Sequence, residues 1–146
     1  MENNKKSMEV FDLFTSMKKV LGLLRDIHTD QVQNDLEKSI LIYVKFHKDV
    51  NQSIIVDRLQ VPKQTVSYTI CKLEREGSIK TKLDEKDKRQ KILTLTDKGK
   101  VFAEDSLKSI MNLHQIIYDE IGFSKISQMK KDIDEIITII EKKTRR

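Results

Sequence analysis

A mainly α-helical fold carrying one small β-hairpin is what the sequence predicts, and three observations predict it. The 146 residues hold four Gly and one Pro, too few turn formers for an all-β chain. Four long stretches repeat apolar residues at steps of three or four. Only between residues 78 and 96 does the repeat shorten to two.

Each element follows from its pattern. Residues 8 to 28 place Met8, Phe11, Phe14, Met17, Leu21 and Leu24 on one side of a helix. Val10, Leu13, Val20 and Ile27 widen that stripe beyond what one neighbour needs. Residues 33 to 49 form a second helix with Leu36, Ile40, Tyr43 or Val44, and His47 along one face. Asn51 suits the N-cap of a short helix through Leu59, which turns Ile55, Val56 and Leu59 inward. Pro62 fits the first turn of the next helix, where its missing N–H is no loss, and Gly77 stops that helix after Glu76.

The hairpin comes next. In SIKTKL, Ile79, Thr81 and Leu83 alternate with Lys80 and Lys82; KILTLT, residues 91 to 96, is the returning strand. Between them DEKDKRQ has no apolar side chain, so it reads as a protruding charged tip. Thr96 can cap a helix over residues 97 to 121 striped by Leu107, Ile110, Met111, His114, Ile117 and Ile121. After a break at GFS, residues 125 to 143 carry Ile126, Met129, Ile133, Ile136, Ile137 and Ile140. Two short helices followed by a hairpin, with long apolar-striped helices on both sides, make a winged helix-turn-helix with N- and C-terminal dimerisation helices. The expected divisions of this integrated domain are residues 1–32 and 101–146 for dimerisation and 33–100 for reading DNA.

Charge points to a polyanion. Residues 51 to 100 hold twelve Lys and Arg against seven Asp and Glu, whereas the flanks hold equal numbers of each. The whole net charge of +5 therefore lies in the middle third. One cysteine cannot make an internal disulfide, which suits a reducing compartment. Charged residues interrupt the N-terminal apolar run, so neither a signal peptide nor a membrane span is expected, and the expected location is cytoplasmic.

The helix opened by Pro62 supplies the chemistry. Val66, Thr69, Ile70 and Leu73 fall on one side; Gln64, Ser67, Tyr68, Cys71 and Arg75 fall opposite, flanked by Lys63 and Lys72. Gln pairs with adenine in the major groove, Lys reaches guanine or phosphate, and hydroxyls bind phosphate. A recognition helix reads with its first turns, which singles out Lys63, Gln64, Thr65, Ser67 and Tyr68, with Lys72 further along. At the hairpin tip Lys86, Lys88 and Arg89 suit phosphates or a narrow minor groove. Asp84 and Asp87 make sense there if a carboxylate braces Arg89 by a charge-assisted bond.

Residues 59 to 100 resemble the MarR family of transcriptional regulators. Three features carry the resemblance: a Thr-Val-Ser helix ending in Leu-Glu-x-x-Gly at Leu73 to Gly77, the tip Asp84-x-x-Asp87-Lys88-Arg89, and Leu95-Thr96-Asp97-Lys98-Gly99. The resemblance implies a homodimer on a near-palindromic double-stranded DNA site, often a repressor and often released by a small ligand or oxidant. It also implies a ligand cleft between dimer arms and reading domain, where Tyr43, His47 and His114 could offer polar handles. Two positions depart from the family pattern: Gln60 stands where a Gly is usual, and Lys88 where Arg is common.

The alternatives are narrower. A thiol-based redox regulator would act through Cys71, although the peroxide-sensing branch of the family carries its cysteine near the N-terminus. A winged-helix protein–protein adaptor would bind no duplex. No catalytic constellation, Gly-rich loop or metal-ligand spacing is present, so neither enzyme activity nor a metal or other cofactor is expected; His28, His47 and His114 are scattered.

Overall fold

The computed structural model describes residues 1–27 and 35–144. Six helices and two strands follow in the order α1 (Glu2–Ile27), α2 (Asp35–Phe46), α3 (Gln52–Leu59), α4 (Lys63–Arg75), β1 (Ile79–Leu83), β2 (Lys91–Leu95), α5 (Asp97–Ile121) and α6 (Phe123–Thr144) among the described residues. α1 begins six residues earlier than its apolar stripe, because the polar NNKK stretch adds helical turns that need no packing. Its expected end at residue 28, the expected start of the second helix at 33, and His28 lie outside the described residues.

Two compact units divide the chain, Met1–Leu107 and Lys108–Arg146, with the division inside α5. The first unit holds the core. Ile40, Leu41 and Val44 of α2 pack with Val50, Ile55 of α3, Val66, Ile70 and Leu73 of α4, Ile79, Leu93 and Ala103. α2 ends at Phe46, short of residue 49, and Asp49 leaves the helix with φ 53°. Its buried side is Glu37, Ile40, Leu41 and Val44, while His47 is exposed. Of the expected stripe, Ile40 and Val44 lie in the core and Leu36 and Tyr43 pack against it; the core takes in Leu41 as well and leaves out His47.

The hairpin is antiparallel, with Ile79 opposite Leu95, Thr81 opposite Leu93 and Leu83 opposite Lys91. It has a third neighbour that alternation along its own strands does not disclose. Asn51 bridges Ile92, and the Leu93 amide donates to the Val50 carbonyl at 2.7 Å. The hairpin is thereby stitched to the residue that starts α3.

Two junctions fix where the hairpin stands. α4 ends in a Schellman arrangement: Gly77, at φ 75°, donates to the Glu74 carbonyl at 3.0 Å, and Ser78 donates to Leu73 at 2.9 Å. At the far end of β2, the Thr96 hydroxyl accepts from the Gly99 amide at 3.1 Å and donates to the Gly77 carbonyl at 2.6 Å. One side chain thus caps α5 and closes the base of the hairpin. The first turn of α5 lies directly on Ser78: a Cβ at Gly99 would stand 2.0 Å from the Ser78 carbonyl oxygen. Lys98 completes the joint by donating to the Glu76 carbonyl at 2.6 Å.

The second unit is the rest of α5 and α6, joined at Gly122 with φ 85°. No residue of α6 is buried, nor is any of α1 in the first unit. Phe11 and Leu21 of α1 are 68% and 67% exposed, and Phe123 and Ile139 of α6 are 68% and 55% exposed.

The α5 junction makes Gly99→Ala a strong test. The added methyl meets backbone rather than a movable side chain, so overpacking should cost about 2 kcal/mol or more. Urea unfolding should show that loss, whereas the same change at Gly22, which has open space around it, should not.

Candidate nucleic-acid interface

The site begins at the turn between α3 and α4. Asn51 takes extended backbone geometry, and its side-chain oxygen accepts from the Ile54 amide at 2.9 Å, capping α3. The chain leaves α3 through Gln60, which adopts φ 51°, ψ 46°. The left-handed conformation for which glycine is favoured is thus kept without glycine, at a backbone cost. A hydrogen bond from Gln60 Nε2 to the Asp57 carbonyl, 2.6 Å, offsets part of it. Pro62 is the N-cap of α4, one position before the first helical residue.

α4 then divides cleanly. Val66, Thr69, Ile70 and Leu73 are buried, and the Thr69 hydroxyl is satisfied by the Thr65 carbonyl at 2.8 Å. Lys63, Gln64, Thr65, Tyr68, Cys71 and Arg75 are exposed, and Ser67 is half-buried. Tyr68 shows 66% of its surface. Lys72 differs from the other cations of this helix. Its ammonium pairs with Glu37 of α2 at 2.5 Å and lies 3.9 Å from Glu76. The hydrogen bond to Glu37 holds its pKa above the usual lysine value. Lys72 therefore serves the α2–α4 contact, where its partner is largely buried.

At the hairpin tip the carboxylates have separate tasks. Asp87 receives the Arg89 guanidinium in a two-pronged contact, Nε to Oδ1 at 3.0 Å and the terminal nitrogen to Oδ2 at 3.3 Å. It also accepts from the Arg89 amide at 3.1 Å. Asp84 turns instead onto the Lys86 amide at 2.8 Å, while its own amide donates to the Gln90 carbonyl at 2.9 Å. Arg89 remains 90% exposed, so the fork aims the guanidinium without burying it. Lys86 and Lys88 are exposed beside it.

Between α4 and the hairpin runs a cleft of about 380 Å³, lined by Lys63, Ser67, Cys71 and Glu74 on one wall and Thr81, Arg89, Gln90 and Lys91 on the other. Thr81 donates to Glu74 across it at 2.6 Å. Sequence reasoning missed Gln90, whose amide touches both Asp87 and Asn51. No periodicity could have shown it, because those contacts depend on the Val50–Asn51 segment lying beside β2.

Of the residues read as polar handles, Tyr43 and His47 come together. Their rings stack with centroids 4.0 Å apart and planes 9° apart, and His47 Nδ1 lies 3.0 Å from the Tyr43 carbonyl. His114 is an exposed residue of the second unit. No group of three or more His, Cys, Asp or Glu placed to hold a metal ion occurs among the described residues, and no described helix is long and apolar enough to cross a membrane.

Arg89 holds the Asp87 carboxyl below the usual carboxylate range, with the Arg89 amide adding to the effect. A depressed carboxyl contributes order that is complete above its unfolded value of about 3.9 and disappears as pH falls through the lower folded value. The Arg89 Nε–H resonance should therefore keep its position down to about pH 4 and move only on further acidification. In Asp87→Asn that acid step should be absent.

Residues 34–90 match the MarR family. MepR from S. aureus, in its DNA-binding conformation, superposes with a TM-score of 0.71 at 21% identity, over 87% of this chain and 98% of its own. CouR from Rhodococcus jostii RHA1, bound to p-coumaroyl-CoA, gives 0.68 at 18% identity over 86% and 91%. The transcriptional regulator BldR from Sulfolobus solfataricus gives 0.65 at 18% over 89% and 95%. No curated protein matches the chain in sequence. The match to the MarR family runs from α2 through β1 to the hairpin tip and stops before β2, and most of the chain shares the fold of these solved structures.

Proposed function

We propose that two copies of this chain bind a near-palindromic operator as a cytoplasmic repressor. The observation that carries the reading is the paired display in the first unit: an α4 face of Lys63, Gln64, Thr65, Ser67 and Tyr68, and a braced, exposed Arg89 at the hairpin tip. α4 enters the major groove. Gln64 reads a base edge, while Lys63, Thr65, Ser67 and Tyr68 meet bases or phosphates around it. The hairpin reaches the flanking backbone or minor groove with Lys86, Lys88 and Arg89. That MepR has been seen in a DNA-binding conformation on the same fold supports this use of the two elements.

Dimerisation supplies the second half-site. α1 and α6 bury no residue within one chain, yet they expose Phe11, Leu21, Phe123 and Ile139. Each large apolar side chain covered by a second copy contributes on the order of 1.5–3 kcal/mol. Pairing through these helices sets two copies of α4 about 34 Å apart, one turn of duplex. Occupancy of a promoter in this way excludes polymerase. A small-molecule effector acting near Tyr43 and His47 would shift the spacing of the two heads. CouR, bound to p-coumaroyl-CoA, supports a ligand in this fold.

Titration of the DNA just upstream of the protein's own gene, across a salt series, tests the reading. Affinity should fall steeply with salt. Arg89→Ala should weaken every duplex by more than ~1 kcal/mol and lower the salt slope, whereas Gln64→Ala should relax preference at one position of each half-site. A wild-type protein that ignores duplex DNA in dilute buffer refutes DNA binding. Sedimentation at micromolar concentration should give a dimer, and Phe11→Asp should shift it towards monomer; a wild-type monomer refutes the paired heads.

A further inference from the structure

The hydrogen bonds linking α3 to the hairpin tip all run in one direction, and that direction is imposed by backbone. The Ile54 amide can only donate, so it claims the side-chain oxygen of Asn51 at 2.9 Å. Asn51 is left with its NH₂ group free to donate, and it donates to Gln90 Oε1. Gln90 must then turn its own NH₂ outward, where it lies 3.5 Å from Asp87 Oδ2. Asp87, an acceptor only, takes that amide and the Arg89 guanidinium together. The polarity of every link follows from the one before it.

From this geometry we propose that Asn51 and Gln90 are positioning residues for the DNA-reading surface, an amide relay that holds Arg89 in register with the helix-turn-helix. The proposal rests on the DNA-reading function given above. Neither residue need touch DNA. Asn51 ties the relay to the first turn of α3, which packs against α4, so the hairpin cation and the reading helix are referred to one frame. The bridge from Asn51 to Ile92 and the bond from Leu93 to Val50 hold the base of the hairpin there, and the relay extends that hold to its tip. Without it, Asp87 and Arg89 still pair with each other, but the pair as a whole is free to swing. A guanidinium that must be immobilised on contact gives up part of its binding free energy as lost conformational freedom.

Two variants approach the relay from opposite ends. Gln90→Met keeps length and volume but removes both amide contacts. Asn51→Ser keeps an oxygen able to cap α3 but is too short to reach Gln90. Each should weaken duplex binding about fivefold, with the salt slope reduced by up to roughly one. In an Arg89→Ala background Gln90→Met should change affinity less than about twofold, because the group it positions is gone. Wild-type affinity and salt slope in both variants would overturn the proposal. An equal loss with and without Arg89 would also overturn it, since that is the mark of general damage. The free protein gives a separate reading: backbone amide and Arg89 Nε order parameters over residues 86–89 should fall in Gln90→Met. If the wild type binds no duplex, the DNA function fails by itself, and unchanged order parameters in the free variant then refute the relay independently.

Discussion

Everything displayed by α4 depends on the burial of its other side. Val66, Ile70 and Leu73 join the core formed with α2, α3 and the hairpin, Thr69 is buried beside them, and Val66 and Leu73 are almost fully enclosed. A helix of thirteen residues is too short to be stable alone in water. Its packing supplies that stability and fixes its rotation. Once the apolar side is committed, Gln64, Tyr68 and Arg75 have no direction left but outward. Because packing holds the helix, its outer surface is free to be chosen for chemistry. That explains how Gln, Thr, Ser and Tyr, which are not the strongest helix formers as a set, can occupy it.

Lys72 shows the same constraint applied to charge. It lies at the margin of the buried face, close to Glu37, which is itself buried. A carboxylate so enclosed needs a cation, and Lys72 supplies it. The sequence shows a lysine on the polar flank of a basic helix and reads it with its neighbours. What it cannot show is that residue 37, thirty-five positions earlier, faces that flank. Composition counts a cation in the reading segment, but packing assigns it to the scaffold.

The legible parts of the fold are those governed by local rules. The α4 period, the polar tip at DEKDKRQ, the stop at Gly77 and the cap at Thr96 are each set within a few residues of where they act. The fork between Asp87 and Arg89 spans two positions and suggests itself from their types alone. The parts that were not legible all join segments distant in sequence. Asn51 meets Gln90 thirty-nine positions away, and Val50 meets Leu93 across a similar span. The extra core residue of α2 has a related cause. Leu36, Ile40, Tyr43 and Val44 mark the inward side by their spacing, but that Leu41 beside them is also enclosed depends on the shape of the core. The Gln60 turn is an intermediate case. Its missing glycine was visible, but the retained left-handed backbone was not, because a side chain's compensating bond leaves no pattern.

The distribution of charge gives this arrangement its economy. Residues outside 51–100 balance their charges, so the long helices add no net field of their own. Attraction to a polyanion is therefore concentrated on α4 and the hairpin instead of being spread over the surface. Spread charge would raise affinity for any phosphate surface in any orientation. On the proposed function, concentrated charge raises it only for orientations that bring α4 and the hairpin to the duplex together, so the attraction would also align the two elements. Such alignment needs hairpin and helix to keep a fixed spacing, which the joints at Gly99, Thr96 and Gly77 supply.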